Sequence, residues 1–232
     1  MPLNIKVDDI DTYAAAVLPI TETLEDAIAA LPGLVGAWDA ADWAAGDWVA
    51  RIGTGRVALT NVAAGARDGD TVLSFGLASR GVVNNAAGAA VVPGELVFAA
   101  RSYFSSVTAN FQKIFDLGTP EFFVRPTQPT PSWQYKDATP TSTSVALAGG
   151  AVARWRTFAL TKAATASPQI EADGAAPVTI GPAGGALGAT TLAIGDASGA
   201  NGAVHEISRL IITTSGALTD AQRAAIRQWL AM

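Results

Sequence analysis

The chain has 232 residues, a net charge of −5, no cysteine and only 15% charged residues. That length suits one large domain, or a domain with an appendage, and lets roughly 70–75% of the unfolded surface be buried. The lack of cysteine excludes disulfides and thiolate chemistry, and the lack of any Lys/Arg stripe argues against nucleic-acid binding, which requires phosphates to be neutralised.

In chain order, the opening MPLNIKVDDIDTY carries Asp8, Asp9 and Asp11 where a signal peptide needs an apolar stretch. No apolar run reaches the ~18–20 residues of a membrane span, so no membrane insertion is expected. From Thr21 the pattern becomes helical, with Leu24, Ala27, Ile28 and Leu31 on one stripe, Thr21 or Thr23 as cap, and Leu31-Pro32-Gly33 as stop. An isolated helix of about ten residues is marginal in water, so this one must lie against something. Either it packs on its own domain, or Leu24, Ile28 and Leu31 reach a partner or a second copy. The predicted division is an arm over residues 1–32, for attachment or oligomerisation, and a body over 33–232.

After Gly33 the texture is β. Runs such as VALTNVA, TVLSFGLA, ELVFAARSYF, WRTFALTK and ISRLIITT are rich in β-branched and aromatic residues and are punctuated by Gly, Asn, Asp and Pro. Many short strands with turns between them predict a sandwich, jelly roll or barrel, not a doubly wound α/β sheet. The stretch WDAADWAAGDW places Trp38, Trp43 and Trp48 five residues apart. On one continuous strand Trp43 would face away from Trp38, and Ala44-Ala45-Gly46 breaks such a strand. Residues 39–47 are therefore expected to turn and bring Trp43 and Trp48 back over the core, a sugar-stacking platform being the alternative. Trp155 is also expected in the core.

The segment RPTQPTPSWQYKDATPTSTS, residues 125–144, is expected to be a long irregular loop, because prolines do not sit in central strands. Within it, Trp133 and Tyr135 beside Lys136-Asp137 read as an exposed aromatic pair suited to sugar recognition. The alternative is that Trp133 pins the loop or contacts a neighbouring subunit. The chain closes with a helix, LTDAQRAAIRQWLAM, capped by Thr219 with Gln222, with Ala221, Ala225, Ile226 and Trp229 on its apolar side.

Four segments in order resemble a known family. They are GLVGAWDAADW (33–43), ARWRTFALTKAATASPQIEADGAAPVTI (153–180, with an Asp173-Gly174 turn), TLAIGDASGANGAVHEISRLIITT (191–214) and the closing GALTDAQRAAIRQWL. Together they resemble the laminin-G-like domains of bacteriophage and phage-like particle proteins. His205 departs from the pattern, standing where the family usually has an apolar or small residue before its glutamate. The resemblance implies an all-β, concanavalin A-like (laminin G-like) antiparallel β-sandwich jelly roll with a short N-terminal helical arm and a C-terminal helix. It further implies a virion structural protein, such as a spike, fibre or decoration subunit, assembled in the host cytoplasm. Such a protein would join other virion proteins through its arm, form a homo-oligomer with a trimer favoured, and contact host surface glycans. A decoration protein without ligand is the alternative, and a polysaccharide hydrolase a further one.

Candidate carbohydrate-binding residues are Trp133, Tyr135, Asp137, Asp196, Ser198 and Asn201. No cofactor is expected unless calcium binds at the rim, where Asp196, Ser198 and Asn201 could be joined by Asp116 or Asp137, since calcium takes six to eight hard oxygen ligands. A non-enzyme is expected. Glu171-Ala172-Asp173 begins the Glu-x-Asp-x-Glu pattern of one glucanase family on this fold, but Ala175 stands where the second glutamate belongs. The single histidine has no Gly-x-Ser-x-Gly elbow to serve, and GPAGGALGA lacks the Lys-Ser/Thr of a phosphate loop. The alternation from Val204 through Glu206 to Ile211 is broken in a way that predicts a bulge near the glutamate.

Overall fold

The short alternating runs form strands, and the Gly, Asn and Asp punctuation forms the turns between them. The structure, a computed structural model, describes residues 23–104, 112–117, 121–125, 132–136, 142–146, 153–181, 187, 191–196 and 203–232. In chain order the elements are α1 (Leu24–Ala29), β1 (Leu34–Asp39), β2 (Trp48–Val49), β3 (Ile52–Gly53), β4 (Arg56–Thr60), β5 (Ala63–Arg67), β6 (Asp70–Phe75) and β7 (Arg80–Asn84). Then come β8 (Leu96–Phe104), β9 (Gln112–Asp116), β10 (Glu121–Arg125), β11 (Ser132–Lys136), β12 (Ser142–Ala146) and β13 (Arg154–Lys162). The last are β14 (Gln169–Ala172), β15 (Val178–Thr179), β16 (Ala193–Gly195), β17 (His205–Thr213) and α2 (Asp220–Ala231).

The strands make two antiparallel sheets. One runs β15–β14–β13–β8–β17–β1–β3, with β6 added beside β17 and β5 beside β6; the other runs β12–β11–β10–β9–β16–β7–β4–β2. The fold is the expected all-β antiparallel sandwich of jelly-roll type, with a short helix before it and a helix after it.

Alternation along β8 shows how the layers are built. Leu96, Phe98, Ala100 and Phe104 face the other sheet, while Val97 and Ala99 face outward under the helices. The core between the sheets also takes Trp38, Phe115, Trp133, Phe158 and Leu210. A second cluster on the outer face joins Val97, Ala99, Ala37 and Ile211 to Ile28, Ile226 and Trp229 of the helices. The sheet therefore reads as nearly continuous apolar sequence where helices cover it.

Both helices begin with a capping box: Thr23 with Asp26, and Thr219 with Gln222. Ile28 and Leu31, two of the residues expected to reach a partner, are instead buried against the chain's own α2 and sheet, and Leu24 is packed beside them. The physical reason is the marginal stability of a helix this short, which forms only where an apolar surface receives it.

The loop expected over 125–144 is corrected. β10 and β11 pair from Arg125–Ser132 to Glu121–Lys136, and β11 and β12 pair from Lys136–Ser142 to Ser132–Ala146. Pro126, Pro129, Pro131 and Pro140 fall outside the described residues, and none belongs to β10, β11 or β12. The bulge near Glu206 is present: the register of β17 on β8 shifts between Ile207 and Arg209. It falls where β17 exchanges one neighbour for another, pairing β6 over residues 205–207 and β1 over residues 209–213. Asp173 and Gly174 both have positive φ, 51° and 76°, as the tight turn requires, and Asp68 and Gly69 do the same between β5 and β6.

Candidate functional site

The predicted aromatic pair is not on the surface. Trp133 is 1% exposed and Tyr135 3%, both in the core between the sheets. The Trp133 ring lies 4.8 Å from Phe158 and 6.1 Å, edge-on, from Phe104. Once residues 132–136 form a strand, Trp133 and Tyr135 share one face, and that face is the interior. Asp137, Ser198 and Asn201 lie outside the described residues.

Asp196 is fully buried, and the structure does bring it to Asp116. The ammonium of Lys113 joins them, 3.0 Å from Asp116 and 3.4 Å from Asp196. A protein cation thus already pairs with both of these carboxylates. Among the described residues no three His, Cys, Asp or Glu side chains gather as a metal site; the other candidate ligands, Asp137, Ser198 and Asn201, lie outside them.

Trp155 corrects a second expectation. It lies on the outer face of the first sheet, partly exposed, with its indole N–H donating to Asp68 at 3.0 Å. Arg101 stacks over its ring at 4.4 Å and Arg67 over Tyr103 at 4.1 Å, while Tyr103 meets Trp155 edge-on at 5.7 Å. Arg67 pairs with Glu206, and Arg101 with Asp70 at 2.8 Å. Each ring has a guanidinium on it and each guanidinium a carboxylate, so this patch pins the β5–β6 turn to the sheet.

His205, the departure from the family pattern, is completely buried between Phe75 and Phe104, each 5.4 Å away centre to centre. Neither ring nitrogen has a partner among the described residues. Burial pushes its pKa down to about 3, so it is a neutral core side chain at ordinary pH.

The concave feature that carries convergent polar groups lies elsewhere, between β13–β14 and α2. It is a shallow depression open to solvent, with a cavity volume of about 20 Å³. Ile226 and Leu230 contribute apolar wall, and Glu171, Asp173, Arg223 and Arg227 contribute charge. Local rules place each group. Glu171 and Asp173 are two residues apart at the end of β14, and Arg223 and Arg227 are one turn apart on α2. Arg227 donates to Glu171 at 2.7 Å. Asp173 accepts from the Thr157 N–H at 3.1 Å and pairs with the buried Arg156. Charged groups that converge on one depression give the polar groups of a ligand fixed partners. Glu171 and Asp173 were weighed in the sequence only against a glycosidase motif. Their meeting with α2, some fifty residues later, had no local signal.

No family model matches the chain, and no curated protein matches it. Solved structures do. A Trypanosoma rangeli sialidase in complex with 2,3-difluorosialic acid is similar at a TM-score of 0.62 and 14% identity, over 90% of this chain and 37% of that one. Domain 4 of AbnA, a GH43 extracellular arabinanase from Geobacillus stearothermophilus, in complex with arabinotriose, is similar at 0.57 and 12% identity, over 83% of this chain and 97% of that one. The receptor binding domain of a botulinum neurotoxin C/D mosaic serotype is similar at 0.56 and 10% identity, over 86% of this chain and 51% of that one. The chain spans little more than a third of the length of the sialidase chains. At these identities the likeness establishes the fold, a β-sandwich that recurs in proteins of carbohydrate chemistry. It also overturns the expectation of a non-enzyme as a reading of this fold: the similar structures include sialidases, which are glycoside hydrolases, so the sandwich occurs in enzyme chains as well.

Proposed function

We propose that the chain is a glycan-contacting β-sandwich on the surface of a phage or phage-like particle, serving as a spike, fibre or decoration subunit. The observation that carries the glycan reading is the cleft between β14 and α2. It sets the exposed carboxylate of Asp173, which accepts from hydroxyl groups, beside the guanidinium groups of Arg223 and Arg227, which donate, on one side of a shallow depression. Sugars present hydroxyl edges that such donors and acceptors recognise. Support from outside the chain comes from the similar structures solved with sialic acid and with arabinotriose. The particle setting rests on the four sequence segments that resemble phage-particle domains. In that setting the protein assembles in the host cytoplasm, attaches through its N-terminal residues and forms an oligomer, a trimer for preference. Several weak sites on one particle then gain 10²–10⁴-fold in avidity.

A glycan array probed with the oligomeric protein tests this reading. Binding is expected to a subset of glycans and to fall at least tenfold in Arg227→Ala; because Arg227 neutralises the buried Glu171, a melting curve checks that the variant is folded. A blank array favours a decoration subunit without ligand.

The likeness to sialidases favours a second reading, glycoside hydrolysis. Glu171 and Asp173 are then the carboxylates to test, although each is engaged by an arginine. Release of a fluorescent leaving group from sialosides or arabinosides, abolished in Glu171→Gln, would establish it.

A further inference from the structure

We infer that this cleft selects glycans bearing a carboxylate, and that Arg223 is the residue that holds it. The inference rests on the glycan-contacting reading and deepens it. Three guanidinium groups, from Arg156, Arg223 and Arg227, meet two carboxylates, from Glu171 and Asp173. Arg227 is matched by Glu171 and Arg156 by Asp173. Arg223 has no carboxylate partner among the described residues, although it lines the same wall. The chain as a whole is anionic, at −5, so a cation left unmatched beside two carboxylates is a local excess against the general trend.

The geometry tells the two arginines apart. Arg223 and Arg227 are four residues apart on α2, where like charges oppose one another. Glu171 relieves that opposition on one side only. Its side chain is 5% exposed, so the charge it offers Arg227 is largely desolvated and not easily given up. An incoming anion therefore meets Arg223 first. A guanidinium presents two parallel N–H donors that match a carboxylate edge. With the acid group held there, the rest of the glycan lies along the open side of the depression, beside Asp173 and Arg227, whose side chains are the exposed ones; Ile226 and Leu230 are buried and support α2 from beneath. A neutral glycan of the same shape leaves Arg223 unmatched and loses the charged contact.

The test compares each acidic probe with its own methyl ester, which keeps the sugar and removes the charge. A sialyl oligosaccharide and an oligogalacturonate serve as probes, with a sulfated oligosaccharide to separate carboxylate from anion in general. The acids are expected to bind at least tenfold more tightly than their esters. In Arg223→Gln the acid should fall to the level of the ester, and Arg223→Lys should fall between, keeping the charge and losing the fork. A melting curve for each variant checks that it is folded. Equal binding of acid and ester by the parent protein overturns the inference and leaves the glycan reading intact. Preference for the sulfated probe over the acids overturns it in favour of a general anion site. Binding of no probe here, together with a blank array, overturns both.

Discussion

Trp38 and Trp48 hold one another in place through the backbone. The indole N–H of Trp38 donates to the carbonyl of Trp48 at 2.9 Å, and that of Trp48 donates to the carbonyl of Asp39 at 2.9 Å. Their rings lie 6.2 Å apart and both are fully buried. Trp43, between them, is partly buried and donates to Gly46 at 3.0 Å. These indoles are not a sugar platform. Trp38 and Trp48 close the turn after β1 onto the core with their N–H groups satisfied inside it, while Trp43 makes its bond at the surface.

That reciprocity makes Trp48 a stability determinant. Trp48→Ala should cost about 3–5 kcal/mol, from lost burial and the cavity left behind. Trp48→Phe should cost about 2 kcal/mol, because the Asp39 carbonyl loses its buried donor. Chemical denaturation of the two variants measures both; equal small losses would mean that the turn repacks without the indole.

Lys113 is expected to be needed for folding rather than for binding. It links Asp116 and the fully buried Asp196. Lys113→Met should destabilise by roughly 3 kcal/mol by removing a cation from beside two buried carboxylates. Adding Asp196→Asn to that variant should recover part of the loss. Denaturant midpoints for the single and double variants decide it, and strict additivity would rule the coupling out.

His205 gives the protein a defined acid sensitivity. Its folded pKa, about 3, lies below the unfolded value near 6.5. The unfolded state therefore binds the proton first, and stability is lost as pH falls from 6.5 towards 3, by roughly 1 kcal/mol per pH unit. Between pH 7 and pH 4 the parent should lose roughly 3 kcal/mol more than His205→Leu, which has nothing to protonate at this position. Unfolding free energies at the two pH values measure the difference; parallel losses would remove the histidine from the account.

Gly216 sits where a side chain cannot. A Cβ there would lie 2.1 Å from the carbonyl oxygen of Lys162, which is backbone and cannot swing aside. Glu95 clamps the same junction, accepting from the N–H of Gly216 at 2.9 Å and of Ala164 at 3.0 Å. Gly216→Ala should cost about 3 kcal/mol, the upper end for overpacking. Gly94→Ala, which meets nothing within 4 Å, should stay within about 0.5 kcal/mol of the parent. Melting temperatures of the pair provide the comparison.

What was legible in the sequence was local. Both capping boxes, the positive-φ turn at Asp173-Gly174, the inward Trp38 and the bulge beside Glu206 follow from residues within a few positions of one another. The β texture also identified the fold class, because alternation and turn residues are properties of short segments. What only the tertiary structure decided was which face of each strand became interior. Trp133 and Trp155 exchanged their expected places, one into the core and the other onto the outer face. An alternating strand has two faces of equal standing until another sheet covers one of them, and that choice depends on register with strands far away in sequence. The cleft is of the same kind: Glu171 and Arg227 are 56 residues apart and meet because α2 folds back over β14.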